Sequence, residues 1–295
     1  MPIAILGPTA SGKSALALAV ARRIGGTVVN GDPYQALRGL AIGTGQPSEA
    51  EREGVPHLGY GALPLSARPN PSAFGHLVRG WLAEAAHPVL VTGSGLYLRG
   101  IWNQLSDLPD VPDATVAKVR GWAARLGVPA LHRFLAAVDP ERAAALHPND
   151  GARVGRALAL HLATGRRPTE LLGGIATGLP EGWQALLVLP TREAQRDRIA
   201  RRVRLQVEAG WPAEVAARVA EGHGPDLKAL RPLGYREWMA GGDPADVEAA
   251  IVTATQAFAK RQVTYFRNQW PEVPTWDPDR EPLGEALVRL GLSAG

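Results

Sequence analysis

Residues 2–14 read "PIAILGPTASGKS". A short apolar run ends at a glycine, a G-x-x-x-x-G-K-S loop follows, and Leu16, Val20 and Ile24 then recur at helical spacing. A glycine-rich loop between a strand and a helix binds phosphate for stated physical reasons. Backbone N–H groups at the helix N-terminus attract anionic oxygens, the lysine adds a full charge, and the hydroxyl can ligate Mg²⁺. Gly7, Pro8, Thr9, Ala10, Ser11, Gly12, Lys13 and Ser14 are therefore the candidate phosphate-binding residues, with Ser14 the candidate metal ligand. The loop identifies a phosphate chain as ligand. It leaves open whether that chain is transferred, hydrolysed or released as a leaving group.

Outward from the loop the same form repeats. Residues 27–32, "TVVNGD", read as a strand with polar residues at its end, and residues 88–97, "PVLVTGSGLY", as a strand, a glycine turn and a helix start. Residues 185–193, "ALLVLPTRE", are a further buried strand. Strands alternating with helices predict an α/β fold: a P-loop NTPase-like parallel sheet with flanking helices. Ligands of such sheets sit beyond the carboxyl ends of the strands, which would bring the phosphate loop, Asp32 and residues 92–95 to one edge.

Between the third and fourth strands the texture changes. "SDLPDVPD" (106–113) reads as a linker, and helical segments follow. Leu131, Phe134, Leu135 and Val138 form one apolar stripe. Val154, Leu158 and Leu162 form another, behind Asn149 or Asp150 as N-cap. "GGIATGLPEG" (173–182) closes the excursion. The expected organisation is a core from residues 1–108 and 181–295, interrupted by a helical insertion over 109–180. In the last third, Ile199, Val203 and Val207 make a stripe. Asp243 caps a helix with Pro244 at its first position, and Val247, Ile251, Phe258, Gln262 and Tyr265 share a face. Residues 276–295 read as a loosely attached tail with one short helix.

Composition narrows the chemistry. The chain has no cysteine, which excludes disulfides, thiolate catalysis and iron–sulfur clusters, and suits a reducing cytoplasm. The seven histidines show no metal-ligand spacing. No apolar run is long enough for a membrane span, and the N-terminus does not read as a signal peptide, so a cytoplasmic protein is expected. Among 32 basic residues only Lys13, Lys118, Lys228 and Lys260 are lysines. Arginine presents a planar fork suited to phosphates.

Two enzyme classes compete on these grounds. A nucleotide triphosphatase usually carries a second strand ending in a metal-binding aspartate, whereas residues 88–95 end in no carboxylate. An ATP-binding small-molecule or nucleoside kinase would need arginines on a lid, which Arg153, Arg156, Arg166 and Arg167 of the insertion could supply.

Six motifs in order decide between them. "GPTASGKS" is followed by "NGDPYQALRGLAIGTGQP" (30–47), similar to "ADSMQVYRGMDIGTAKP". It keeps Asp32, Gln35, Arg38, Gly39, Gly43 and Thr44. "TGSGLYL" resembles "GGTGLYL", and "HPNDGARVGRALALHLATGRRP" resembles "HPNDxQRVxRALEVYxxTGKP". "PLGYREW" and "AFAKRQVTYFRN" resemble "AIGYKEF" and "xYAKRQxTWFRN". Over residues 3–270 the chain resembles the bacterial tRNA dimethylallyltransferase family. The resemblance implies that the loop holds dimethylallyl diphosphate, with diphosphate as leaving group and Mg²⁺ beside it. The acceptor it implies is the exocyclic N6 amine of adenosine 37 in the tRNA anticodon stem-loop.

Asp32 is then the candidate base for the amine, and Ser94, where the family usually has threonine, a second group to hold it. Pro33, Tyr34 and Gln35 stand in the stretch that faces the base, with the Gln35 amide suited to a base edge. Arg153, Arg156, Lys260, Arg261 and Arg267 are candidates to grip RNA phosphates. A single site needs no second subunit, so a monomer is expected. A free-adenylate prenyltransferase, which would not need the insertion's basic face, and a catalytically impaired tRNA-binding relative are the remaining alternatives, the latter because the chain departs from the pattern. Pro33 and Tyr34 replace Ser-Met, Leu58 stands where a second histidine is usual, and Ala152 replaces a glutamine. Gln46 and Gln256 replace a lysine and an arginine, removing two charges expected near the donor.

Overall fold

A computed structural model of the chain describes residues 1–68, 70–105, 108–172 and 178–293. Its centre is a six-stranded parallel sheet. The strands are β1 (Ile3–Leu6), β2 (Thr27–Asn30), β3 (His57–Leu58), β4 (Pro88–Thr92), β5 (Gln184–Val188) and β6 (Thr275–Trp276), in the order β3-β2-β4-β1-β5-β6. The apolar runs are needed because the sheet is covered on both faces. Alternating side chains of β1 feed two cores. Ile3 and Ile5 pack with Leu16, Val20 and Val188, while Ala4 and Leu6 pack with Phe74, Leu90, Leu98 and Phe266. A third core joins Ile199, Val203, Trp211, Tyr235, Val247 and Ile251 with Leu37 and Leu40.

The phosphate-loop helix spans Lys13–Ile24, and Gly95–Ile101 follows β4. Asp243 caps the helix Pro244–Gln269, its carboxylate accepting from Ala245 N at 2.9 Å. On that helix Val247, Ile251 and Gln262 are buried, and Phe258 and Tyr265 half-buried. Contacts divide the chain into one unit of Met1–Asn103 with Thr177–Gly295 and a second of Gln104–Ala176. The second unit packs Val119, Leu131, Leu135, Val154 and Leu158 on one another. Asp150, not Asn149, caps the helix Gly151–Thr164, accepting from Arg153 N at 3.1 Å. Phe134 and Leu162 do not join this core, being 47% and 43% exposed. Leu131 and Leu135, four apart, take the inner face of their helix, and Phe134 falls outside it. Of the two expected joints, residues 106–107 and 173–177 lie outside the described residues.

The expected loose tail is corrected. β6 pairs with β5 through Leu187↔Thr275 and Val188↔Trp276, and covers what would otherwise be an open sheet edge. Trp276, Ala286, Leu287 and Leu290 are buried in the first core. Ala286 and Leu287 on the helix Leu283–Arg289, with Leu290 just after it, give this segment one apolar side packed in that core. Among the described residues no helix is long and apolar enough to cross a membrane.

Candidate active site at the carboxyl edge of the sheet

The phosphate loop leaves β1 at Leu6 and re-enters helix at Lys13. No side chain caps that helix, so its first N–H groups and positive dipole end face the loop. Thr9, Lys13 and Ser14 line a cleft of about 320 Å³, while Gly7, Pro8, Ala10, Ser11 and Gly12 build the loop behind them. Neighbouring helices pin the loop. Gln195 donates to Thr9 O at 3.1 Å, Arg198 to Ser11 O at 3.3 Å, and Gln262 accepts from Thr9 N at 2.9 Å.

β2 and β4 are adjacent, and their ends deliver the other groups. Asn30 and Thr92, both fully buried, fix the two turns. The Asn30 amide donates to Asp32 O and Gly59 O at 2.9 Å each and accepts from Asp32 N at 2.8 Å. Thr92 Oγ1 donates to Gly31 O at 2.8 Å and accepts from Ser94 N at 3.0 Å. The result places Ser94 Oγ 3.3 Å from Asp32 Oδ2, while Asp32 Oδ1 accepts from Tyr34 N at 3.0 Å. Two polar residues 62 positions apart thus meet in the cleft that Thr9, Lys13 and Ser14 line.

Electrostatics favour a polyanion here. Arg202 lines the cleft and donates to Thr44 O at 3.2 Å. Its approach requires Gly45, whose φ is +65° and where a Cβ would lie 2.0 Å from the guanidinium. Burial, then the nearby Arg202, lower the Lys13 pKa to about 8, with Asp32 pulling the other way. Burial also lowers Arg202, opposed by Asp32 and Glu51, yet a guanidinium keeps its proton in proteins. Two cations held close in a poorly solvated place, with one carboxylate nearby, gain most from an anion that bridges them.

The remaining expected residues fall in different places. Tyr34 and Gln35 line the cleft, with Tyr34 OH donating to Leu230 O at 3.0 Å. The Gln35 amide nitrogen is already bonded to Thr44 O and Gly45 O at 3.0 and 2.9 Å, so only its oxygen is available to a ligand. Pro33 is buried and does not line the cleft. Arg261 lines it, its guanidinium 5.8 Å from the Phe258 ring. Lys260 and Arg267 instead line a neighbouring groove with Arg192, Arg196 and Gln256. Arg153 and Arg156 are exposed on the second unit, Arg153 paired with Asp150 at 3.5 Å. Neither Gln46 nor Gln256 lines the cleft. Gln46 donates to Leu37 O at 2.8 Å, and Arg202 and Arg261 supply cleft charge without them.

Arg202 is not singled out by the sequence, and Asn30 and Thr92 enter it only as the ends of their strands. The signal for Arg202 is its place between Ile199 and Val203, beside a buried stripe. That for Asn30 is a polar residue closing an apolar strand.

Mg²⁺ fits this edge. Ser14 is exposed at a helix N-terminus and lines the cleft with Asp32. Among the described residues no group of three or more His, Cys, Asp or Glu gathers to hold a metal. That sparse donor set suits a hard cation that keeps water and substrate phosphate oxygens as ligands.

Comparison with known proteins agrees with this fold. The IPP transferase family model matches residues 35–269, and the isopentenyl transferase model residues 2–58. The chain is 42% identical over 293 residues to the tRNA dimethylallyltransferase of Rhodospirillum centenum, covering 94% of this chain and 92% of that one. The tRNA isopentenylpyrophosphate transferase of Bacillus halodurans superposes with a TM-score of 0.64 at 31% identity, over 93% of this chain and 89% of that chain. A eukaryotic dimethylallyltransferase captured acting on tRNA superposes with a TM-score of 0.78 over 97% of this chain and 77% of that one. At 22% identity it supports the fold alone. Matched along most of its length in sequence and in fold, the chain belongs to the IPP transferase family.

Proposed function

We propose that this chain transfers a dimethylallyl group from dimethylallyl diphosphate to the exocyclic N6 amine of adenosine 37 in tRNA, releasing diphosphate. The observation that carries the reading is the Ser94–Asp32 contact at 3.3 Å, in the same cleft as Thr9, Lys13 and Ser14. An aromatic amine is a poor nucleophile, and a carboxylate within hydrogen-bond reach can take its proton. As the donor C1–O bond breaks, its electron pair leaves with the diphosphate. The N6 lone pair forms the new C1–N6 bond, and the N6 proton passes to the Asp32 carboxylate. Lys13, Arg202 and the loop N–H groups stabilise the charge that grows on the departing oxygen. Bound at Ser14, Mg²⁺ would add positive charge to the same diphosphate.

The acceptor base must leave its stack to reach this cleft, as in other base-modifying enzymes. Tyr34, the Gln35 oxygen and Arg261 line the cleft and are suited to hold it. Arg153 and Arg156 of the insertion unit are suited to RNA phosphates, as are, within the first unit, Lys260 and Arg267.

The test supplies labelled dimethylallyl diphosphate and Mg²⁺ with unmodified tRNA, and in parallel γ-labelled ATP with small acceptors. Label entering the RNA from the prenyl donor supports the reading. Phosphate transferred from ATP, with no prenyl transfer, would make the loop that of a kinase.

A further inference from the structure

Gln262 is a polar residue buried on the inner side of the helix Pro244–Gln269, 7% exposed, between the buried Ala259 and Phe266. Both ends of its amide are used. Oε1 accepts from Thr9 N at 2.9 Å, and Nε2 donates to Gly93 O at 2.8 Å. Thr9 belongs to the phosphate loop, and Gly93 precedes Ser94 in the turn after β4. β1 and β4 run side by side to Leu6↔Thr92, and the loops then diverge with Gln262 bonded to both. The fit there is tight. A Cβ on Gly93 would lie 2.8 Å from Gln262 Nε2, 2.9 Å from Gly7 O and 3.6 Å from Lys13 Nζ. One amide thus ties the anion-binding loop to the turn that presents Ser94 to Asp32.

We infer that Gln262 is a positioning residue that holds the donor loop and the acceptor turn at one separation, so that the dimethylallyl C1 meets N6 rather than water. This rests on the function proposed above. When the spacing is right, C1–O breaks, C1–N6 forms, and the N6 proton goes to Asp32. When it is lost, water can take the place of the amine. C1–O still breaks and diphosphate still leaves, but a C1–oxygen bond forms with water. Its proton passes to Asp32 or to solvent, giving dimethylallyl alcohol and unmodified RNA. Misplacing reacting groups by about 1 Å costs on the order of 100-fold in rate, and an aligned site protects reactive species from water.

The experiment measures diphosphate released and label incorporated in the same reactions, for wild type, Gln262→Leu and Gln262→Glu, with a thermal melt of each. Gln262→Leu removes both bonds. Gln262→Glu keeps an acceptor for Thr9 N, sets a carboxylate against Gly93 O, and carries the test if the leucine variant does not fold. Wild type should release one diphosphate per label. The variants should release more diphosphate than label, with kcat for RNA labelling down about 10- to 100-fold and donor KM changed less. Variants that stay one-to-one, or whose labelling falls only in proportion to their folded fraction, overturn the inference alone. A wild type that labels no RNA overturns the functional reading and the inference with it.

Discussion

Replacing Asp32 by asparagine separates the proton acceptor from the architecture around it. The amide oxygen can still accept from Tyr34 N, which lies 3.0 Å from Oδ1, and the Asn30 bonds hold the Asp32 backbone, not its carboxylate. The variant should therefore fold. It loses the carboxylate that takes the N6 proton, a role worth about 10²–10⁴ in rate, or about 3–5 kcal/mol of barrier. A second effect must be kept apart. Asp32 raises the proton affinity of Lys13 and Arg202, so its loss lowers the Lys13 pKa further below about 8. Working at about pH 6.5, well below about 8, favours the protonated Lys13 and so separates this effect from the loss of the base. Single-turnover labelling of tRNA with saturating donor at that pH should show the rate falling at least about 100-fold, with donor affinity little changed. Ser94→Ala removes one hydrogen bond to the Asp32 carboxylate, a charged acceptor, and should cost about 1.5–3 kcal/mol. An Asp32→Asn enzyme within about tenfold of wild type, or a Ser94→Ala enzyme slower than it, would refute the assignment of Asp32 as base.

Other consequences can be checked separately. Burial lowers Lys13, so its cationic form is present below pH about 8 and lost above it. kcat/KM for the donor should fall as pH rises through that value, and Lys13→Met should lose this limb while starting from a lower plateau. In the insertion unit, burial pushes the Asp139 carboxyl up. Donors from Thr169 and Arg142, with Arg167, outweigh it and hold the group below the usual carboxylate range. A lowered carboxylate stabilises the fold above its unfolded value and ceases to as pH falls through the folded one. Asp139→Asn should therefore melt lower than wild type near neutrality and approach it in acid. Deleting residues 275–295 removes β6 and exposes the surfaces that bury Trp276, Leu287 and Leu290. At about 1.5–3 kcal/mol per buried side chain the truncated chain should be insoluble or unfolded by circular dichroism, not merely slower.

The parts of this site legible in the sequence are those where local chemistry and tertiary role coincide. A glycine loop between an apolar strand and a helix is a local pattern, so the position of the candidate phosphate loop is legible directly. Asp32 and Ser94 were legible because parallel strands deliver their carboxyl ends to one edge. Arg202 was not, because it stands among Arg192, Arg196, Arg198, Arg201 and Arg204 on one helix. Which of them turns inward depends on the helix's orientation to the loop, set by Ile199 and Val203 packing into the third core. Gln262 was read only as part of an apolar face. Its partners lie 169 and 253 residues away, beyond any local pattern. The tail was misread because β6 is two residues long and shows no period, and its burial comes from the open edge of β5. The substitutions at Gln46 and Gln256 were weighed as lost charge near the donor because a motif position carries no direction. In the fold neither side chain lines the cleft: Gln46 donates to Leu37 O, and Gln256 lines the neighbouring groove.

The central claim is that the cleft built by Lys13, Arg202, Asp32 and Ser94 joins a prenyl carbon to one adenine. Its most direct test incubates the enzyme with labelled dimethylallyl diphosphate and two unmodified tRNAs, one with adenosine at position 37 and one with guanosine there. The RNA is then digested to nucleosides. The account predicts label in the first RNA alone, recovered as N6-dimethylallyladenosine. Label in both RNAs, in neither, or on another nucleoside would contradict it.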